Sequence, residues 1–161
     1  MSLILDGSNG VTFPNSTVQA SAGQVLQVVN GTYSTQTSNA TTTYADTGLT
    51  ASITPKFSTS KILVLVNHCQ VEKSSGDSNN GVYLGLFRNS TEISTLTGFL
   101  GYTGTTLRNV VGSASVSYLD SPATTSSTTY KTQFKNFNAS SNVTVQSGGT
   151  IATITLMEIA A

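Results

Sequence analysis

His68 and Cys69 are the only histidine and the only cysteine of the chain, and they are adjacent. Neighbours in an extended strand point to opposite faces, whereas a Cys–His nucleophilic pair needs both groups on one side within hydrogen-bond reach. The pair therefore reads as structural, with Cys69 a small buried hydrophobe and His68 a satisfied or exposed polar residue. A zinc site asks for three or four His, Cys or carboxylate ligands, and the chain offers no second His or Cys; neither metal nor cofactor is expected. A glycosidase sets two carboxyl groups across a sugar. The carboxylates here, Asp6, Asp46, Glu72, Asp77, Glu92, Asp120 and Glu158, fall mostly in turn-like segments, where Asp stabilises the backbone. Asp77-Ser-Asn-Asn-Gly81 lacks the spacing and the distal bidentate Glu of a calcium loop and reads as a hairpin turn. No enzymatic activity is expected.

One non-covalent chemistry is in better supply. Aromatic faces stack on sugar rings while hydroxyls and amides hydrogen-bond to them. Phe99 and Tyr102, with Thr103 beside them in the Gly101-Tyr-Thr-Gly-Thr-Thr106 loop, form a candidate carbohydrate-contacting patch. Asp77 and Asn79 in the preceding loop are further candidate contacts.

The elements that must position these groups are strands. Only 9% of residues are charged, against roughly 25% in an average soluble protein, and Ser, Thr, Asn and Gly make up the difference. Low charge with many β-branched residues points to a β-protein with a neutral, hydroxyl-rich surface. The formal net charge is +0 and the basic residues are scattered from Lys56 to Lys135, so the field that nucleic acid requires is missing; nucleic acid and membrane insertion are both excluded as expectations. No signal peptide or membrane-spanning stretch is read, which predicts synthesis in the cytoplasm. The single cysteine excludes an internal disulfide.

Residues 1–23 read as an extended N-terminal arm whose Leu3, Leu5, Val11, Phe13 and Val18 need a surface to bury against. Residues 24–161 form one domain of strand-like runs separated by turn clusters: Gln24–Ser34, Thr41–Asp46, Leu49–Ile53, Lys61–Lys73, Gly81–Arg88, Thr91–Thr97, Thr105–Leu119, Thr128–Phe137, Asn142–Gln146 and Thr150–Ile159. No window keeps a helical period. The continuous apolar run at Ile62–Val66 predicts a strand buried on both faces. The final strand has two largely apolar faces, one predicted for the core and one, carrying Ile154 and Leu156, for another subunit.

Several segments carry a resemblance: the arm's Asp6-Gly-Ser-Asn-Gly-Val-Thr-Phe-Pro-Asn15, Gly23-Gln-Val-Leu-Gln-Val-Val-Asn-Gly-Thr-Tyr-Ser34, Ser58-Thr-Ser-Lys-Ile-Leu-Val-Leu-Val66, Asp120-Ser-Pro-Ala-Thr-Thr-Ser-Ser-Thr-Thr-Tyr-Lys-Thr-Gln-Phe-Lys135 and Thr150–Ala161. Together the chain resembles the C-terminal domains of tailed-phage virion proteins, especially fibre and head-surface proteins of phages that infect aquatic bacteria. The resemblance implies an all-β, antiparallel jelly-roll-like β-sandwich in a homotrimer, located in the virion and attached to tail or major capsid proteins through the arm. It implies a short fibre or tail-tip adhesin for a host surface glycan, such as a polysaccharide, or a host receptor, or alternatively a capsid decoration protein whose trimers stabilise the head.

Overall fold

A computed structural model describes residues 4–6, 10–12, 18–19, 24–138 and 141–161. At the N-terminus, β1 (Ile4–Asp6), β2 (Gly10–Thr12) and β3 (Val18–Gln19) pair antiparallel in that order. The stretch read as one extended arm therefore doubles back on itself, with Ile4 opposite Thr12 and Thr12 opposite Val18. Leu5, Val11 and Val18 lie on these strands; Leu3 and Phe13 fall outside the described residues.

The remaining strands are β4 (Val25–Tyr33), β5 (Thr37–Asn39), β6 (Ala45–Ile53), β7 (Lys61–Lys73), β8 (Val82–Arg88), β9 (Thr91–Leu100), β10 (Asn109–Asp120), β11 (Thr128–Asn136), β12 (Val143–Val145) and β13 (Ala152–Ile159). They form two antiparallel sheets. One is six-stranded, ordered β4-β13-β7-β12-β5 with β10 along the other edge of β7, and the second is four-stranded, β6-β11-β8-β9. The pairs β4–β13, β6–β11, β7–β10 and β8–β9 are nested. The chain is thus one long hairpin rolled over itself into a β-sandwich with jelly-roll connectivity. Its tip is the turn at Asn89-Ser90, where Asn89 takes φ 55°, a left-handed conformation that Asn tolerates. At the open end Ala160 N–H donates to Gln24 O at 2.8 Å, so the chain enters and leaves the domain side by side.

Alternation decides which residues meet between the sheets. Ile62, Val64 and Val66 of β7, Ala152, Ile154 and Leu156 of β13, Leu49 and Ile53 of β6, Leu86 of β8 and Tyr130 of β11 form one buried cluster. Val71, Val82, Leu84, Phe134, Val143 and Val145 form another. Full burial of each aliphatic side chain contributes about 1.5–3 kcal/mol. Ile154 and Leu156, expected at a subunit interface, are 0% exposed within this core. The reason is phase: even-numbered residues of β13 face the second sheet of the same domain, leaving Thr153, Thr155, Met157 and Ile159 for the outer face.

β7 also departs from expectation. Over Ile62–Val66 it is covered on one face only, for Leu65 is 38% exposed on the other, while Val71, Glu72 and Lys73 at its end are all buried. Across the outer face of the large sheet runs the register Val28–Met157–Leu63–Leu119, with Val28 54% and Leu119 49% exposed. The loop 74–81, read as a hairpin turn, instead carries the chain from β7 in one sheet to β8 in the other.

Polar groups between the sheets are organised. His68 is fully buried with both ring nitrogens hydrogen-bonded, the satisfied alternative of the sequence reading, whereas Cys69, read as buried, is only partly so. Gln146 Nε2 donates to His68 Nδ1 at 3.0 Å, which leaves the ring proton on Nε2 to be donated to Thr132 Oγ1 at 2.9 Å. Thr132 Oγ1 in turn donates to Thr47 Oγ1 at 2.6 Å, and Thr47 donates to Thr132 O. Burial pushes His68 down to about 4. At the edge of the sandwich, Arg88 Nη1 meets both Asp120 oxygens at 3.0 Å, and the buried Tyr130 hydroxyl donates to Asp120 Oδ2 at 2.6 Å. These three residues tie β10 in one sheet to β8 and β11 in the other. Burial, then the hydrogen bond to Asp120, pushes the Tyr130 hydroxyl well up.

Candidate functional site

The outer face of the four-stranded sheet carries a cluster of aromatics in which Phe99, Tyr102 and Phe137 are exposed and Phe87 is buried, whereas exposed Phe57 lies apart beside Leu26 and Ala160. Of its six tyrosines and six phenylalanines, Tyr44, Tyr83, Tyr102, Phe87, Phe99 and Phe137 gather here. Odd-numbered residues of β8 and β11 point outward because their even-numbered neighbours fill the core. Tyr83 therefore sits directly opposite Lys135 in the β8–β11 ladder, and Phe137 follows at the end of β11.

Ring contacts are continuous. Tyr83 and Phe137 stack, 20° from parallel with centroids 5.9 Å apart, and Phe99 joins them at 5.2 and 4.4 Å. Tyr102 meets Phe99 edge-on at 5.8 Å. Each such pair adds about 0.5–1.5 kcal/mol beyond its buried area. On the other side of Tyr83, the Lys135 ammonium lies 5.8 Å from that ring and 4.4 Å from the ring of Tyr44. Tyr44 crosses the sheet and packs edge-on against Phe87 at 5.2 Å. Its hydroxyl donates to Glu92 Oε1 at 3.0 Å. Burial first, then this bond to Glu92, pushes the Tyr44 hydroxyl up to about 12.

Two glycines make this surface. A Cβ at Gly98 would stand 2.8 Å from the Tyr83 ring, and one at Gly85 would stand 3.2 Å from Tyr44 and 3.0 Å from Phe87. Glycine in strand interiors marks close approach by another group, and here that group is an aromatic ring lying on the strand.

The structure brings most of the predicted contact residues to this end of the sandwich. Phe99 and Tyr102 are 44% and 46% exposed and are joined by a turn in which Tyr102 N–H donates to Phe99 O at 3.1 Å. Thr103 is exposed, and its hydroxyl lies 3.0 Å from that of Thr105. Buried Lys73 ties this loop to the preceding one, donating to Thr105 O and, at 3.1 Å, to Asp77 O. Asn79 is exposed, but Asp77 is only 8% exposed. Its Oδ1 accepts the Asn79 N–H at 2.8 Å, so it shapes the loop instead of offering a contact. Tyr83, Phe137, Tyr44 and Lys135 were not anticipated. The available signal was the pairing of strand glycines 85 and 98 with aromatics one or two positions away.

Among residues 24–138 and 141–161 the carboxylates are dispersed and engaged. Asp46 accepts from Lys131 and Gln133. Glu72 holds Arg108 bidentately at 2.7 and 2.8 Å, and that guanidinium keeps its carboxyl below the usual range. Burial acts to raise Glu158, but hydrogen bonds from Gln27 and from the Lys56 and Phe57 N–H groups outweigh it and hold it low. Among the described residues no group of three His, Cys, Asp or Glu side chains could hold a metal ion, and no helix is long and apolar enough to cross a membrane. No known family model and no curated protein matches the chain.

Proposed function

We propose that the chain is a non-catalytic structural protein of a tailed-phage virion, a short fibre or tail-tip adhesin that holds a glycan of the host surface on its aromatic face. The observation that carries this reading is the continuous set of rings Tyr83, Phe99, Tyr102 and Phe137, three of them more than two-fifths exposed. Large aromatic surface left in water at one end of a domain marks a binding site, and flat rings bordered by hydroxyl-bearing loops suit pyranose faces. The dispersal of the carboxylates supports holding a sugar over cleaving it.

A glycan array probed with the purified protein tests the reading. Binding to a subset of bacterial surface glycans, lost in Tyr83→Ala and Phe137→Ala variants that keep the wild-type melting temperature, is expected. Uniform absence of binding would overturn it. Newly formed reducing ends in a host polysaccharide would show a depolymerase instead.

A second reading, a trimeric decoration protein on the capsid, is favoured by the Val28–Met157–Leu63–Leu119 row on the opposite outer face, which is apolar and uncovered by this chain's described residues. Gold-labelled antibody on intact particles separates the two: label at the tail supports the adhesin, and label across the head supports decoration.

A further inference from the structure

We infer that the aromatic face selects saccharides bearing a carboxylate, with Lys135 as the residue that reads the charge; this rests on the glycan-binding reading above. A hollow of about 240 Å³ opens on this face, lined by Thr42, Tyr83, Lys135, Asn136 and Phe137. It is smaller than the roughly 300 Å³ at which pockets for drug-sized ligands begin, a size for one sugar ring set against a wall. The hollow holds the two nearly parallel rings of Tyr83 and Phe137, a Thr42 hydroxyl at the rim and one ammonium.

Among the described residues the ammonium on this face lacks a carboxylate partner; exposed Lys61 lacks one too but lies opposite Ile159 at the other end of the sandwich. Arg88, Arg108 and Lys131 are each matched to a carboxylate, Lys73 is buried on backbone carbonyls, and Lys56 donates to Leu26 O. Among the described residues Lys135 makes no ion pair, and its contacts are the faces of Tyr44 and Tyr83. Cation–π contact holds the stem over the sheet while leaving donors of the ammonium directed to solvent and ligand. Glu92 is occupied by the hydroxyls of Tyr44 and Thr95, and Asp46 by Lys131 and Gln133.

One ammonium behaves as a point charge and balances one anionic group. Phosphate and sulfate esters are favoured by bidentate guanidinium forks or by several donors, which this face lacks. A uronic-acid residue satisfies the whole set: a ring face for Tyr83 and Phe137, a hydroxyl for Thr42 and a carboxylate for Lys135.

The test is calorimetric titration of an oligogalacturonate, its carboxyl-reduced oligogalactose and a phosphate-bearing glycan into the full chain at low salt. The oligogalacturonate is expected to bind up to about fivefold tighter than the reduced form, the range for an exposed ion pair, with the preference shrinking as salt rises. Lys135→Gln is expected to erase the preference for the charged form, whereas Phe137→Ala weakens binding of both forms and keeps the preference. Equal affinity of the wild type for charged and reduced forms would overturn the inference and leave the glycan-binding reading standing. Tighter binding of the phosphate-bearing glycan would show the wrong anionic class. Failure of every glycan to bind would remove both readings.

Discussion

Acid is expected to loosen this domain in a pH window set by His68. The ring is wholly buried and accepts at Nδ1 from Gln146; a proton on Nδ1 would face the amide N–H it now accepts from. Burial lowers its pKa from 6.5 to about 4. In the folded state the group stays neutral where the unfolded chain has already bound a proton, so stability is full above the unfolded value and falls as pH drops through 6.5 toward 4. The difference corresponds to about 3 kcal/mol in total, of which about 2 kcal/mol is lost by about pH 5. With a urea slope near 2 kcal/mol/M, the midpoint moves down by about 1 M between about pH 7.5 and about pH 5. Glu72 and Glu158 are held below their ordinary 4.5 and Asp46 below 3.8, so their stabilisation is lost only at lower pH. Urea unfolding followed by circular dichroism across the window is the assay, with the imidazole resonance titrated by NMR. A His68→Gln variant is expected to be less stable overall but flat across the same range. A wild-type midpoint that does not move, a ring titrating near 6.5, or an unchanged slope in His68→Gln would refute the reasoning.

Four further outcomes are expected. Gly98→Ala places a methyl against the Tyr83 ring and should cost about 1–3 kcal/mol by overpacking while abolishing glycan binding; denaturation and array measurements on one preparation check both. Leu156→Ala opens the core and should cost about 2–5 kcal/mol without changing the oligomeric state, whereas Met157→Asp on the outer face should leave stability nearly intact and dissociate any trimer, as read by sedimentation equilibrium. Asp120→Asn weakens the cross-sheet tie to Arg88 and Tyr130 and should cost about 1–3 kcal/mol in urea unfolding. Arg108→Ala unpairs Glu72, whose carboxyl should move up toward its ordinary value in an NMR titration.

Strand positions were the most legible part of the chain. Lys61–Lys73 and the turn at Asn89-Ser90 follow directly from a long apolar run and from turn chemistry. Of the runs Thr41–Asp46 and Leu49–Ile53, the second and the end of the first, Ala45–Asp46, belong to one strand, which passes through Gly48 at φ 89° with the Tyr33 ring against it, while Thr41–Tyr44 lies outside any strand. Phase was harder to read. Ile62–Val66 is apolar on both faces, so periodicity alone could not say that even-numbered residues point inward, and His68, Cys69, Ile154 and Leu156 were assigned accordingly. The opposite orientation of His68 and Cys69 was readable; which of them was buried was not. The aromatic face was visible only at Phe99 and Tyr102, since bringing Tyr44, Tyr83 and Phe137 beside them depends on cross-strand register, which tertiary pairing sets.

The rolled hairpin also gives the domain a mechanical direction. Gln24 and Ala160 meet at the Lys61 end of β7, while Leu100, Val82 and Asn136 bring the aromatic face to the Lys73 end. A strand of that length spans about 40 Å. A pull transmitted from a ligand on the aromatic face to the chain at Gln24 therefore runs along the strands, loading the ladder hydrogen bonds in parallel instead of peeling them one at a time. A tethered domain of this build resists tension on its ligand far better than tension applied between its own two ends, which would open the β4–β13 pair like a zip.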